Sequence, residues 1–174
     1  MLEQRISTRR VYEGKVLNLR VDEVRLENGN LGTREVVEHP GAAAVVPILD
    51  VGDVILVRQY RYPIGCDLLE IPAGTLRANE DPKECALREL EEETGYRCKE
   101  IAKMAECFVA PGYSAEKIHF YLAKRLTKTQ TKMDEDEAII PERCRFPEAL
   151  EKIRKGEIRD AKSIVGLHAA AALL

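Results

Sequence analysis

Apolar and polar positions alternate only partly in the first forty residues, yet they read as β structure. Val16 to Leu26 is a strand, Glu27-Asn28-Gly29-Asn30 a hairpin turn, and Thr33 to Glu38 the returning strand. His39-Pro40-Gly41 breaks the pattern, and the expected boundary separates an N-terminal β segment, 1–40, from a larger domain, 41–174. Ala43 to Leu49 is almost continuously apolar, as a strand buried on both faces would be. Asp50-Val51-Gly52-Asp53 turns the chain into a partner strand over Val54 to Tyr60. Tyr62-Pro63 and Gly65 open a loop, and Leu68 to Ile71 is a short strand. A helix is expected from about Pro82 to Thr94, and two strands over 101–109 and 117–123. Phe146 to Lys155 and Asp160 to Leu174 read as closing helices. Strands with helices at intervals predict an α/β layered domain, a mixed sheet covered by helices.

Composition narrows the class. The chain has 174 residues, 45% of them hydrophobic, enough for one compact core with a small appendage and too apolar for disorder. Lys plus Arg is 27 against 30 for Asp plus Glu, a net charge of −3 that argues against a nucleic-acid partner, which needs a cationic surface. The longest apolar runs, Gly41 to Leu49 and Gly166 to Leu174, fall short of a bilayer span, and the first residues carry no secretion signal. No membrane association and a cytoplasmic location are therefore expected. Cys66, Cys85, Cys98, Cys107 and Cys144 are odd in number and form no Cys-x-x-Cys, so buried free thiols are expected rather than disulfides or zinc ligands. His39, His119 and His168 are scattered without metal-ligand spacing, and no Gly-x-Ser-x-Gly occurs.

The predicted central helix carries the candidate chemistry. Asp81 suits its N-cap, Pro82 its first turn, Glu84 lies three residues after the cap, and Gly95 suits the left-handed position beyond its end. With Glu89 at zero and 100° per residue, Glu93 falls near +40° and Glu92 near −60°, while Ala86, Leu90 and Leu87 span about +60° to +160°. An apolar stripe would bury the helix, and carboxylates would line an adjoining face. Arg88 stands at i, i+4 from Glu92, placed to pair with and orient it. Carboxylates gathered at i, i+3 and i+4 repel one another, and a hard divalent cation with oxygen ligands relieves that repulsion. On helix geometry alone, a solvated acidic face fits the same pattern.

The wider spacing decides between these readings. Gly74, Glu80, Arg88-Glu89-Leu90, Glu92-Glu93 and Gly95-Tyr96 reproduce Gly-x5-Glu-x7-Arg-Glu-U-x-Glu-Glu-x-Gly-U, U being bulky and apolar. At about 10% usage per residue, seven fixed matches arise by chance about once in 10⁷ positions. The segment resembles the signature of the Nudix hydrolases; Tyr96, where an aliphatic residue is commoner, is the one soft departure. The resemblance covers roughly residues 40–174 and is closest to the ADP-ribose pyrophosphatase branch. That branch has a proline sixteen residues after the last glycine, here Pro111, followed by a Pro-Gly…Glu loop, here Pro111-Gly112-Tyr113-Ser114-Ala115-Glu116. Gln59-Tyr60-Arg61 matches its Gln-aromatic-Arg strand. Each accessory motif is less specific than the box, and Pro111-Gly112 also suits an ordinary turn.

The resemblance implies an α/β fold, a Nudix-like mixed β-sheet sandwiched between helices with an N-terminal antiparallel β segment. It implies Glu89 and Glu93 as principal metal ligands, Glu92 completing the cluster, and the Ala73 carbonyl as a backbone ligand, for Mg²⁺ with Mn²⁺ as the alternative. Glu116 matches the loop glutamate that acts as general base or orients water; a plain surface carboxylate is the other reading. Arg61, Pro111 and Gly112 match substrate-binding positions. Glu80 and Arg88 read as braces, with Arg88 also counted with the catalytic set through Glu92. The implied reaction converts ADP-ribose and water to AMP and ribose 5-phosphate. The alternatives are another nucleoside diphosphate derivative (a dinucleoside polyphosphate, a damaged nucleoside triphosphate, a different nucleotide sugar) and a nucleotide-sensing or RNA-associated module. In the same branch the N-terminal segment often builds a homodimer. Asp134-Glu135-Asp136-Glu137 reads as a solvated loop, with an active-site lid as the sharper alternative.

Overall fold

A computed structural model describes residues 2–129 and 138–174, so the acidic run 134–137 lies outside the described residues. The chain divides into two units: the N-terminal segment through Gly41 with Phe108–Lys117, and Ala42–Cys107 with Ile118–Leu174.

In the first unit, β1 (Gln4–Glu13), β2 (Asn18–Arg25) and β3 (Leu31–Glu38) form an antiparallel sheet in that order. The expected β2–β3 hairpin is present, with Gly29 at φ 86°, a left-handed turn position that glycine adopts without strain. β1 was not expected as a separate strand: Gln-Arg-Ile-Ser-Thr-Arg-Arg-Val-Tyr-Glu carries no apolar stripe, and every residue in it is exposed. Asp22, nearly buried on β2, is held by Thr8 at 2.5 Å and Arg20 at 3.0 Å. The loop through Pro111 joins this unit by backbone bonds to β3. Val37 N–H donates to the Tyr113 carbonyl at 2.8 Å, and Ala115 N–H donates to the Val37 carbonyl at 3.0 Å.

The second unit begins with β4 (Ala42–Pro47), β5 (Asp53–Arg61), β6 (Cys66–Glu70) and β7 (Ala73–Thr75), then α1 (Pro82–Thr94). β8 (Tyr96–Phe108) and β9 (Lys117–Lys128) run across the boundary between the units, and β10 (Ile139–Arg145), α2 (Phe146–Arg154) and α3 (Ala161–Ala171) close the chain. One sheet is ordered β7-β4-β9-β8, with β4 parallel to β9 and antiparallel to β7; the other is β10-β5-β6. β4 is buried along its whole length, as its apolar run requires, and its period of two divides the core. Ala42, Ala44 and Val46 pack with Leu56, Ile71, Phe120 and Leu167, whereas Ala43 and Val45 pack with Cys85, Ala86, Leu90 and Tyr121 of the α1 layer. Helices thus cover both outer layers of a mixed β core.

The cysteines differ from the expectation of burial. All five are free thiols, but Cys85 alone is buried; Cys98 and Cys107 lie on the edge strand β8, Cys144 on the edge strand β10, and Cys66 opens β6. No helix among the described residues is long and apolar enough to cross a membrane.

Candidate active site

α1 begins and ends as its sequence dictates. The Asp81 carboxylate accepts the Lys83 N–H at 2.8 Å, and Gly95 closes the helix at φ 69° with its N–H on the Glu91 carbonyl. The buried residues are Cys85, Ala86, Glu89, Leu90, Glu93 and Thr94. On the same 100° wheel these span about −40° to +140°, so Glu89 and Glu93 lie inside the packed arc and not on a face beside it. Leu87, expected in the apolar stripe, is only half-buried, because the arc is centred near Glu93 and Ala86 and not on Leu90. Burying two carboxylates there is costly unless bonds or a cation compensate them.

β7 supplies the opposite wall. Glu93 Oε2 accepts the Ala73 N–H at 3.1 Å. Pro72 sends its carbonyl the other way, to the Val45 N–H at 2.9 Å. Since an extended residue directs its N–H and C=O to the same edge, the Ala73 carbonyl faces the side where Glu93 sits. Gly74 leaves room for Glu89: a Cβ there would stand 1.8 Å from Glu89 Oε1, so the carboxylate would have to move. Ala73, Glu89 and Glu93 are therefore brought together. Glu92 is half-buried, and its Oε2 accepts at 2.9 Å from the same Arg88 Nη1 that reaches Glu89.

Arg88 is a brace with several partners. Its Nε and Nη2 grip Glu80 at 2.9 and 3.1 Å, and its Nη1 also reaches Glu89 at 2.5 Å. Glu80 Oε2 further accepts the Arg77 N–H at 2.8 Å. The Arg88 bonds, with the Arg77 N–H, pull the Glu80 carboxyl down to about 2. The same bonds, that to Glu80 foremost, raise Arg88. The Cys85 thiol is pushed up to about 12 by burial, which removes it as a nucleophile. An open depression of about 450 Å³ bordered by Leu87, Arg88, Glu91 and Arg97 lies over the outward side of α1, and Glu89, Glu93 and Arg61 do not line it.

Arg61 ends β5 with its guanidinium fork committed to Glu70, at 2.9 Å for Nε and 2.6 Å for Nη2. The Glu70 bond foremost raises Arg61, and the Glu93 charge adds to it, which puts Arg61 within electrostatic reach of the α1 carboxylates. Burial alone would raise the Glu70 carboxyl, but Arg61 and Lys162 outweigh it and hold it below the usual range. Glu70 is 1% exposed, and Lys162, a residue that sequence reasoning missed, donates to it as well. The only sequence signal for this cluster is the position of Glu70 just before Ile71-Pro72-Ala73.

Glu116, Pro111 and Gly112 fall in the first unit, with Arg61, Ala73 and α1 in the second. Tyr113 and Ser114 N–H both donate to the Ala110 carbonyl, so Pro111-Gly112 forms a hydrogen-bonded turn, and a Cβ at Gly112 would meet nothing within 4 Å. Glu116 N–H donates to Ser114 Oγ at 3.1 Å and its carbonyl accepts from Val109. These bonds, with those to Val37, make the loop a braced element; the glycine is not a hinge forced by conformation.

The donor set fits a hard divalent cation. Glu89, Glu93 and the Ala73 carbonyl are oxygen donors, the chemistry Mg²⁺ and Mn²⁺ take. Among the described residues no three His, Cys, Asp or Glu side chains are gathered as a ready metal cluster, and Arg88 engages both Glu89 and Glu92.

Residues 38–165 match the NUDIX domain, and residues 3–37 match the nucleoside diphosphate sugar hydrolase N-terminal domain. The ADP-ribose pyrophosphatase of Bacillus subtilis is 40% identical over 92% of this chain and 88% of its own length. A methanol dehydrogenase activator of Bacillus methanolicus is 41% identical over 95% of this chain and 90% of its own. The ADP-ribose pyrophosphatase of Mycobacterium tuberculosis is 37% identical over 97% of this chain and 83% of its own. In fold, the crystal structure of an ADP compounds hydrolase superposes with a TM-score of 0.89 at 21% identity, covering 100% of this chain and 95% of that one. With the family model spanning most of the sequence and the box residues folded onto β7 and α1, the chain belongs to the Nudix hydrolase family.

Proposed function

We propose that the protein hydrolyses the pyrophosphate bond of a nucleoside diphosphate sugar, with ADP-ribose and water giving AMP and ribose 5-phosphate. The observation that carries the reading is the pair of carboxylates, Glu89 and Glu93, in the middle of the packed face of α1 against Ala73-Gly74. Glu89 accepts from Arg88 and Glu93 from the Ala73 N–H, and a hard divalent cation is a further partner that such oxygen donors take. Glu89, Glu93 and the Ala73 carbonyl would hold Mg²⁺ or Mn²⁺, with Glu92 able to join on release from Arg88. When bound, such an ion neutralises diphosphate charge and lowers the pKa of coordinated water.

The chain's own residues supply position. Arg88 and Glu80 hold the α1 carboxylates against the loop that precedes the helix. Arg61 offers its planar face and Nη1 to the substrate, since Glu70 takes its fork. Glu116 is the proposed base or water-orienting group, carried on a loop that β3 braces; Pro111 and Gly112 shape that loop. The relatives named ADP-ribose pyrophosphatase support ADP-ribose as the preferred compound. Relatives named GDP-mannose pyrophosphatase, one from Klebsiella pneumoniae 36% identical over 64% of this chain, make another nucleotide sugar the first competitor. Residues 41–174 would be the catalytic domain, and 1–40 a homodimerisation element of a cytoplasmic enzyme without nucleic-acid or membrane partners.

The test is a panel of diphosphate compounds with Mg²⁺ in ¹⁸O water, products resolved by chromatography. ADP-ribose is expected to rank first, with ¹⁸O in one phosphate product. Nucleoside triphosphates ranking far above it would overturn the substrate assignment.

A further inference from the structure

We infer that the first turn of α3, through Asp160, Lys162 and Ser163, is a positioning device for the metal-binding strand and for Arg61. The inference rests on the proposal that the Ala73 carbonyl and Glu93 share a cation.

Ser163 is fully buried and bonded on both sides: its Oγ accepts the Ile71 N–H at 2.8 Å and donates to Asp160 Oδ2 at 2.6 Å. Asp160 in turn caps α3 through the Ser163 N–H at 3.0 Å and accepts from Lys162 Nζ at 2.9 Å. Lys162 also donates to Glu70, whose carboxylate holds the fork of Arg61. One turn further along α3, Gly166 admits the Ile71 side chain; a Cβ there would stand 2.6 Å from Ile71 Cδ1. α3 therefore grips Ile71 by backbone and side chain together.

The consequence lies two residues on. Ile71 is anchored to α3, Pro72 to β4 through Val45, and the Ala73 N–H to Glu93 of α1. The Pro72 carbonyl and the Ala73 N–H belong to one peptide plane, which β4 and α1 hold from opposite sides. α3 holds the chain two residues before Ala73, and Gly74, paired with Ala43 of β4, holds it one residue after. Together these elements set the direction of the Ala73 carbonyl. A purely structural contact would need none of the charged members, because a buried network of ions is seldom more stabilising than apolar packing of the same volume. Here the charges run from the α3 cap to Arg61, which is what an orienting network requires.

Mn²⁺ binding to the full-length protein, followed by electron paramagnetic resonance without nucleotide, separates this role from simple stability. Ser163→Ala is expected to weaken Mn²⁺ binding about tenfold, the scale seen when a ligand's supporting bond is lost. Ala170→Gly, a buried α3 position that takes no part in the Asp160–Lys162–Ser163 hydrogen bonds, serves as control and is expected to lower the Tm while leaving Mn²⁺ affinity unchanged. Lys162→Met is expected to raise KM for ADP-ribose about tenfold with Mn²⁺ affinity unchanged. If Ser163→Ala fails to fold, Asp160→Asn takes its place: it keeps an acceptor for the cap but loosens Lys162, and KM should rise. Equal Mn²⁺ affinities for Ser163→Ala and Ala170→Gly, or an Asp160→Asn enzyme identical to the parent, would overturn the positioning role. Glu93→Gln binding Mn²⁺ like the parent would instead overturn the ligand assignment beneath it.

Discussion

Glu93 makes one observed bond and has one proposed role, and a substitution can separate the two. Its Oε2 accepts the Ala73 N–H at 3.1 Å, a bond that a glutamine carbonyl can keep, while the negative charge is what a cation needs. Glu93→Gln is therefore expected to leave the Tm within a few degrees of the parent and to lower turnover at least ~100-fold at saturating Mg²⁺; near-parental rates would remove Glu93 from the ligand set. Glu80 is the contrasting case, a carboxylate serving structure. Its folded value of about 2 lies below the ordinary 4.5, so its contribution is full above about pH 4.5 and fades as pH falls toward 2. Urea unfolding should show Glu80→Gln less stable at pH 7 by about 1.5–3 kcal/mol, the range for a hydrogen bond to a charged group, with the difference largely gone near pH 2. A gap that stayed constant with pH would mean that the Arg88–Glu80 pair does not carry it.

At the level of elements, α1 carries its packing side chains and the proposed ligands Glu89 and Glu93 on one arc. Leu90 is fully buried with Ala43, Val45 and Tyr121, and Leu90→Ala should cost about 2–5 kcal/mol of stability. The folded fraction of that variant should keep the parent's Mg²⁺ dependence, since Leu90 sits about 60° round the helix from Glu93; a changed dependence would show that packing sets the ligand geometry. The caps of α1, the unbroken burial of β4 and the β2–β3 hairpin were legible, because each rests on local chemistry: Asp81 and Gly95, an apolar run, an Asn-Gly turn. β1 and β10 were not. All of β1 is exposed, and β10 carries Pro141 with Glu142, Arg143 and Arg145, tolerated because it is a sheet edge pairing with β5 on one side. The box singles out Glu89 and Glu93 as candidates, yet their place inside the buried arc depends on β7 packing against α1, a tertiary fact. Lys162 and Ser163 lie some ninety residues from Glu70 and Ile71, so nothing in the local sequence announces their bonds.

For the whole molecule, the N-terminal sheet ends on an exposed edge that can take a partner strand. β1 is an edge strand of ten exposed residues, including Ile6, Val11 and Tyr12 at 46%, 46% and 58% exposure. Long exposed edges with apolar residues invite pairing with another chain, and natural proteins blunt them or use them. A second copy is the proposed user, so sedimentation equilibrium at micromolar concentration should return twice the 19.6 kDa chain mass. Ile6→Lys with Val11→Lys places charge on that edge at positions already exposed, so the fold should survive while the mass falls toward one chain. The same unit contains the loop bearing Glu116, tied to β3 at Val37, so loss of the second copy should also reduce kcat if association stiffens that sheet. A parent protein that sediments as a single chain at tens of micromolar would refute the dimer and leave β1 with a role only in bracing β2.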